Sequence, residues 1–460
     1  MQRRELMQIM GLSALAAHMP DVTASAKTSG RDAGWQNWSQ SLPAATDNIV
    51  TPDNKADLQK LIVQSDGVLR PVGAGHSWMP LVPSDEAIVR LDKFNGVLSL
   101  DEKTRRARLG AGSRLKELSP ALAAQGLAFR NLGDIDVQTL AGATSTATHG
   151  TGKNLPCLAA EIRGLELVTG TGEVLQIDGS QNSALLPAAQ VALGALGMIT
   201  EIEMQLVARH KLHRRVQFLP YRDVLATAFD RWETHRNFEF FYLPFSGTAM
   251  AITHDETDGE DTPRPADESD DAVMQLKALR DWLGWFPWLR KKLLGAAIAN
   301  APEENVIGES WQLLSSARNV HFNEMEYHLP PDKALEALEE VRHHIERHRP
   351  DVFFPFECRM TAGDEAWLSP FNDGPRVSIA VHTHAPQNRH DDYDFLFTHI
   401  EPIFRAAGGR PHWGKLNGLG AAELRALYPR FDDFAALVRE LDPKGRFQNP
   451  YLRGLFGAGA

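Results

Sequence analysis

Between Arg70 and Trp78 the chain reads Arg-Pro-Val-Gly-Ala-Gly-His-Ser-Trp, so an extended stretch runs into two glycines and leaves through a histidine and an aromatic. Neither Gly73 nor Gly75 has a Cβ, and a nest of bare backbone amides at such a turn can close on anionic oxygens. His76 would then stand at the edge of that nest. Glycine-rich turns are common, and a lone turn of this kind specifies only a bend. A second segment narrows the reading.

That segment is Asn131 to Gly152, Asn-Leu-Gly-Asp-Ile-Asp-Val-Gln-Thr-Leu-Ala-Gly-Ala-Thr-Ser-Thr-Ala-Thr-His-Gly-Thr-Gly. Glycines and hydroxyl side chains make a poor core element and a good polar wrapping: amides approach closely, and hydroxyls bond to ribityl and phosphate oxygens. A plain surface loop would not interleave Leu140, Ala141, Ala143 and Ala147 so evenly with them. Together the two segments suggest a dinucleotide cofactor.

At 460 residues the chain exceeds one ordinary core and should divide into domains. With 43% hydrophobic and 23% charged residues it reads as globular, and a net charge of -11 argues against a nucleic-acid partner. Cys157 and Cys358 are too few for a disulfide scaffold or a thiolate zinc site. Residues 1–26 read as an address: Arg3 and Arg4 precede the short apolar run Ile9 to Ala17 and the small residues Ala24 to Ala26, which suggests twin-arginine export to the periplasm. Without such a signal the protein would be cytoplasmic.

From Trp35 the pattern becomes regular. A short helix ends near Gln64, and Val68 to Pro71 enters the first turn as a strand. Ala87 to Leu91, Val97 to Leu100 and Ala107 to Leu109 form a meander. Ser113 can cap a helix carrying Leu115, Leu118 and Leu122. Leu165 to Val168 and Glu173 to Ile177 flank a hairpin turn, and Met198 to Leu206 alternates apolar with polar residues as a half-solvated strand does. The first domain, residues 35–210, is therefore α+β. A second, residues 211–420, contains an acidic loop at 255–271 and a helix over about 331–348, and residues 421–460 return to the first. Residues 276–298 combine three tryptophans with a basic cluster; an interfacial membrane helix is conceivable, but Gly284 and Pro287 favour cap helices.

The second half supplies reactive side chains. Glu357 and Arg359 flank Cys358, so on a strand they share one face and can hold a polyol or lactone by charge-assisted hydrogen bonds; a surface ion pair is the plainer reading. His382 and His384 have the same spacing, and with no third ligand at a recognisable spacing no metal site is expected. His412-Trp413-Gly414-Lys415 places another imidazole beside a lysine.

The two glycine-rich segments resemble the flavin-binding domain of the vanillyl-alcohol oxidase superfamily, and within it the chain is most similar to the sugar-1,4-lactone oxidases and alditol oxidases. The resemblance implies a two-part PCMH-type FAD-binding domain and an α+β cap domain with an antiparallel sheet. It also implies FAD joined covalently to His76. The implied cofactor contacts are Pro71, Val72, Gly73, Ala74, Gly75, His76 and Ser77 in the first segment. The second contributes Gly133, Asp134, Ala141, Gly142, Thr144, Ser145, Thr148, His149 and Gly150, with Ile199 and Asn449 from elsewhere. Ala147 stands where the family usually has glycine.

By the same resemblance Glu357, Arg359, Lys415 and His382 are catalytic, and Thr139, His384 and His412 bind substrate, His384 standing where alditol enzymes have threonine. Lys415 would stabilise charge on the flavin as hydride arrives. The reaction implied is oxidation of a secondary hydroxyl of a sugar-1,4-lactone or an alditol. Dioxygen is the expected acceptor, with a quinone or cytochrome as the alternative, and Glu357, His382 and His412 all remain open as proton acceptors. A non-enzymatic periplasmic binding or metal-carrier protein is the remote alternative.

Overall fold

The computed structural model describes residues 34–42, 46–263, 303–316, 320–350, 354–384 and 393–457, with positions 288, 292, 294 and 352. The export segment and most of 276–298 lie outside the described residues. Among the described residues no helix is long and apolar enough to cross a membrane.

Among the described residues the first half holds two main sheets and a two-strand pair, Leu127–Ala128 with Val207–Ala208. Leu69–Val72 and Ile49–Val50 pair in parallel with Ala87–Arg90 between them, and the helix Lys55–Gln64 packs Leu58 and Ile62 behind. The second sheet is antiparallel, in the order Val97–Asp101, Arg106–Gly110, Met198–Gln205, Ile162–Val168, Val174–Asp178. Met198–Gln205 alternates towards its far end between buried and half-buried residues, which is what its alternating sequence requires. Ser113 does not cap the helix Leu115–Ala123: its hydroxyl donates to the Gly110 carbonyl and accepts from the Gly96 N–H, and Arg114 takes the cap position without a side-chain bond.

The second half is one antiparallel sheet of eight strands. Its central four are Asn237–Tyr242, Phe356–Thr361, Arg376–His384 and Phe322–Leu329. Thr248–Thr257 extends through Asp255 and Glu256, so these two, expected in a solvated loop, pair instead with His213 and Leu212. The helix Pro331–His348 covers one side with Leu338, Val341 and Ile345 buried. The helices Ala421–Leu427, Phe431–Leu441 and Pro450–Phe456 follow.

Period-two alternation gives the four central strands one apolar and one polar face. Phe238, Phe240, Phe356, Cys358, Ile379, Val381, Met325 and Tyr327 fill the apolar one. Glu239, Glu357, Arg359, His382, His384, Glu324, Glu326 and His328 occupy the other, and all are buried. A buried face this rich in charge is costly unless its members pair, and it marks where function resides.

Candidate active site

A cleft opens on the first glycine turn. Its wall includes Pro71, Val72, Gly73, Ala74, Gly75, His76 and Ser77, with Ala141, Gly142, Ser145 and Ile199 opposite. Gly75 has φ +71°, which glycine alone adopts without cost, and a Cβ on Gly73 would stand 2.1 Å from the Thr139 hydroxyl. That hydroxyl accepts from the Gly142 N–H and caps the helix Leu140–Ser145. Thr139, expected on the substrate, lines the cleft beside the glycine turn. Buried Arg70, which the sequence did not single out, ties the cleft together by donating to the carbonyls of Leu81, Leu193, Gly194 and Phe447.

Other expected cofactor contacts are elsewhere, each for a visible reason. Thr144 spends its hydroxyl on the Leu140 carbonyl inside its own helix, and Thr148 accepts from Gln138. Gly150 packs against Leu132, where a Cβ would meet the carbonyl at 2.2 Å, and Gly133 lies under the His149 carbonyl. Asn449 caps the last helix and donates to the carbonyls of Pro80 and Pro83, so it holds the segment behind the cleft. Asp134 and His149 belong to the polar face: Asp134 lies 3.8 Å from Arg359, and His149 Nε2 lies 3.1 Å from Glu326. Thr146 and Gln138, not expected, line the cleft.

On the polar face Arg359 is the hub, 2.9 Å from Glu326 and 3.3 Å from Glu357. Lys415 forms an ion pair with Glu324, whose other oxygen lies 3.6 Å from His382 Nε2. His382 Nδ1 is 2.9 Å from the Pro355 carbonyl, which can only accept, so Nδ1 carries the proton and Nε2 of the neutral ring keeps its lone pair. His384 lies beside it on Phe354, and His412 Nδ1 accepts from the Gly414 N–H.

Cleft and polar face meet at two tryptophans. Trp78 donates its backbone N–H to the Gly414 carbonyl at 2.7 Å, and Lys415 Nζ sits 4.4 Å from the centre of its ring. His76 stacks on Trp38 at 4.6 Å; Trp38 touches Phe322, and Phe322 touches His382. Residues far apart in sequence thus surround one region.

Residues 202–455 match the D-arabinono-1,4-lactone oxidase family, and residues 46–178 match the FAD binding domain family. An L-gulono-1,4-lactone dehydrogenase of Mycobacterium tuberculosis is 33% identical over 432 residues, covering 92% of this chain and 99% of its own. The chain belongs to the D-arabinono-1,4-lactone oxidase family. It is an FAD-dependent oxidoreductase acting on CH–OH groups. An alditol oxidase of Streptomyces is 28% identical, covering 91% of this chain and 98% of its own, and the L-gulonolactone oxidase of Bos taurus is 26% identical, covering 92% and 98%. Cholesterol oxidase from Brevibacterium sterolicum has the same fold, with a TM-score of 0.77, 17% identity and coverage of 92% and 96%.

For this family the residues present fit FAD. The glycine turn that lines the cleft, with Gly75 at φ +71°, would hold it. His76 Nδ1 is buried without a hydrogen-bond partner among the described residues. Burial, with help from Lys415, Arg114 and His321, brings the His76 imidazole down to about 4, so it is a neutral base at physiological pH.

Charge on the polar face is divided unequally. Burial pushes the Glu324 carboxyl up, but Lys415 and His382 outweigh it and hold it down to about 2. Glu326, likewise buried, is carried well below the usual range by Arg359 and His149. Glu357 goes the other way: burial, only partly offset by Arg359, combines with Asp134, Glu239 and Glu326 to raise it well above the usual range. Glu357 is therefore a neutral acid, and burial carries His412 down to about 3, leaving it a neutral base.

Glu239, Glu324, Glu326 and His328 were missed by sequence reasoning. The alternation Asn323-Glu324-Met325-Glu326-Tyr327-His328 was the available signal, a strand with ionisable residues on every second position. Strand pairing also supplies possible metal ligands that linear spacing could not show. His149, Glu326 and His412 form one compact group, Glu324, Glu357 and His382 another, and Asp134, Glu239 and Glu357 a third. Arg359 or Lys415 already serves a carboxylate in each of these groups.

Proposed function

We propose that the protein oxidises a secondary hydroxyl of a sugar-1,4-lactone, with FAD in the cleft tethered through His76. The observation that carries this reading is the convergence of His382 Nε2, an ionised Glu324 and the Lys415 ammonium beside Trp78. FAD, when bound, supplies the acceptor for the hydride that leaves the carbinol carbon.

The chain's residues bind, orient and handle the proton. Arg359 and the neutral acid Glu357 offer donors to the ring oxygens of a lactone without adding net negative charge. His382 Nε2 takes the hydroxyl proton, and Glu324 at 3.6 Å stabilises the imidazolium that results. Lys415 supplies fixed positive charge where cleft and polar face meet, and the buried surroundings keep it effective. His384 and His412 line the same face and shape the substrate's fit.

Dioxygen is the proposed electron acceptor, giving peroxide. A quinone or cytochrome is the second reading, favoured by the dehydrogenase name of the 33% identical relative. The twin arginines at 3 and 4 support export with the cofactor already loaded. Steady-state assays of L-gulono-1,4-lactone against an open-chain alditol, each under air and with a quinone analogue, test the proposal. A higher kcat/KM for the lactone by about tenfold, roughly 1.4 kcal/mol, is expected. Oxidation of the alditol alone, or of neither, overturns it.

A further inference from the structure

Away from the polar face, the outer side of the helix Pro331–His348 carries Glu340, His344 and His348 at four-residue intervals, which places all three in one row. The segment Leu396–Ile400 crosses that row and brings in His399. The rings of His344 and His399 stack at 4.8 Å between centroids, and His344 and His348 lie 5.1 Å apart. Glu340 and the three histidines line a shallow hollow together with Thr398 and Arg347.

Three imidazoles packed ring to ring need an explanation. His344 Nε2 is buried and has no hydrogen-bond partner among the described residues. Leu396–Ile400 is one turn of π-helix, a rare form that rotates a side chain out of helical register and is enriched at functional sites.

We propose that His344, His348 and His399, with Glu340 as the anionic ligand, bind one divalent transition-metal ion of the zinc class. Two histidines four apart on one helix turn, with a third ligand from a neighbouring segment, suit a tetrahedral ion that prefers imidazole nitrogen. The rings are stacked rather than converging as they stand, and His348 and His399, both exposed, would turn about χ1 and χ2 to bring their nitrogens together. Arg347 is also exposed and can swing away from the hollow. Bound metal would clamp the long helix to Leu396–Ile400 and the helix Glu401–Ala406 that continues it. This staples the cap without touching the active site.

Calorimetric titration of the untagged, FAD-loaded protein with zinc chloride, and separately with magnesium chloride, tests this. One zinc ion per chain at micromolar affinity, no magnesium binding, and a rise in melting temperature with zinc are expected. His348→Ala and His399→Ala should each weaken zinc binding at least about tenfold, while His213→Ala, whose ring bonds to Asn305 and does not line the hollow, should not. Both affected positions are exposed, and unchanged lactone oxidation by the variants checks their folding. Zinc binding that is absent, that persists in both variants, or that is lost equally in His213→Ala overturns the proposal.

Discussion

Glu324 and His382 face each other across paired strands, carboxylate Oε1 3.6 Å from imidazole Nε2. The separation leaves room for a hydroxyl to reach Nε2 while the carboxylate remains close enough to favour the protonated ring. Replacing Glu324 by Gln removes that stabilisation and frees Lys415. The expected outcome is a fall in kcat of about 100-fold with a small change in KM. A kcat left unchanged in Glu324→Gln would count against the pair as the proton-handling site.

Arg359 and Glu357 should respond in opposite ways to substitution. Arg359→Met takes the guanidinium from the buried Glu326 anion, leaving it the His149 contact, and should cost about 3–5 kcal/mol in urea unfolding of the FAD-loaded protein. Glu357→Gln keeps a neutral group of the same shape and should cost less than about 1 kcal/mol. Equal losses would mean that Glu357 is ionised.

The strands that carry this chemistry were only half legible in the sequence. Glu357 and Arg359 stood out because an acid and a base flank an apolar residue between phenylalanines. Glu324 and Glu326 follow the same alternation but announce no motif, and only antiparallel pairing with His382 and Ala380 gives them meaning. The first glycine turn was readable because Gly73 and Gly75 are required by backbone geometry. In the Thr-rich segment the hydroxyls of Thr144 and Thr148 are held by the Leu140 carbonyl and the Gln138 amide, bonds that no motif announces. Arg70 was unreadable, since its partners are four carbonyls dispersed along the chain.

Ala147 has φ +58° and no exposed surface, in a position where glycine would be unstrained. Removing its methyl loses about 0.8 kcal/mol of burial. Relief of left-handed strain returns about 1–2 kcal/mol, and the added freedom of the unfolded chain takes back about 0.5–1. Ala147→Gly should therefore change stability by less than about 1 kcal/mol in either direction. Ala143→Gly, equally buried but within the helix Leu140–Ser145, should cost about 1.5–2 kcal/mol. Urea midpoints of the two variants make the comparison.

His254 is buried on a strand of the cap sheet, and burial with Arg214 brings it down to about 3. The unfolded chain binds a proton there below about 6.5 that the folded chain refuses until about 3, so its contribution to stability is full above 6.5 and is lost as pH falls through this window. Each such histidine contributes a slope of about 1.4 kcal/mol per pH unit. His412, brought to about 3, and His76, brought to about 4, act in the same direction. His254→Gln should flatten the dependence of unfolding free energy on pH between about 4.5 and 6 by close to one proton. An unchanged slope would mean that His254 is protonated in the fold.

Lys415 joins the cleft to the polar face, and its removal probes the proposed geometry without disturbing the cradle. Anaerobic rapid mixing of the FAD-loaded protein with an aldonolactone, followed by the loss of yellow absorbance, should show prompt bleaching. Lys415→Met should keep its flavin and bleach about 100-fold more slowly or worse. Bleaching at the unaltered rate in Lys415→Met, or a wild-type protein that no lactone or polyol bleaches, would contradict the account.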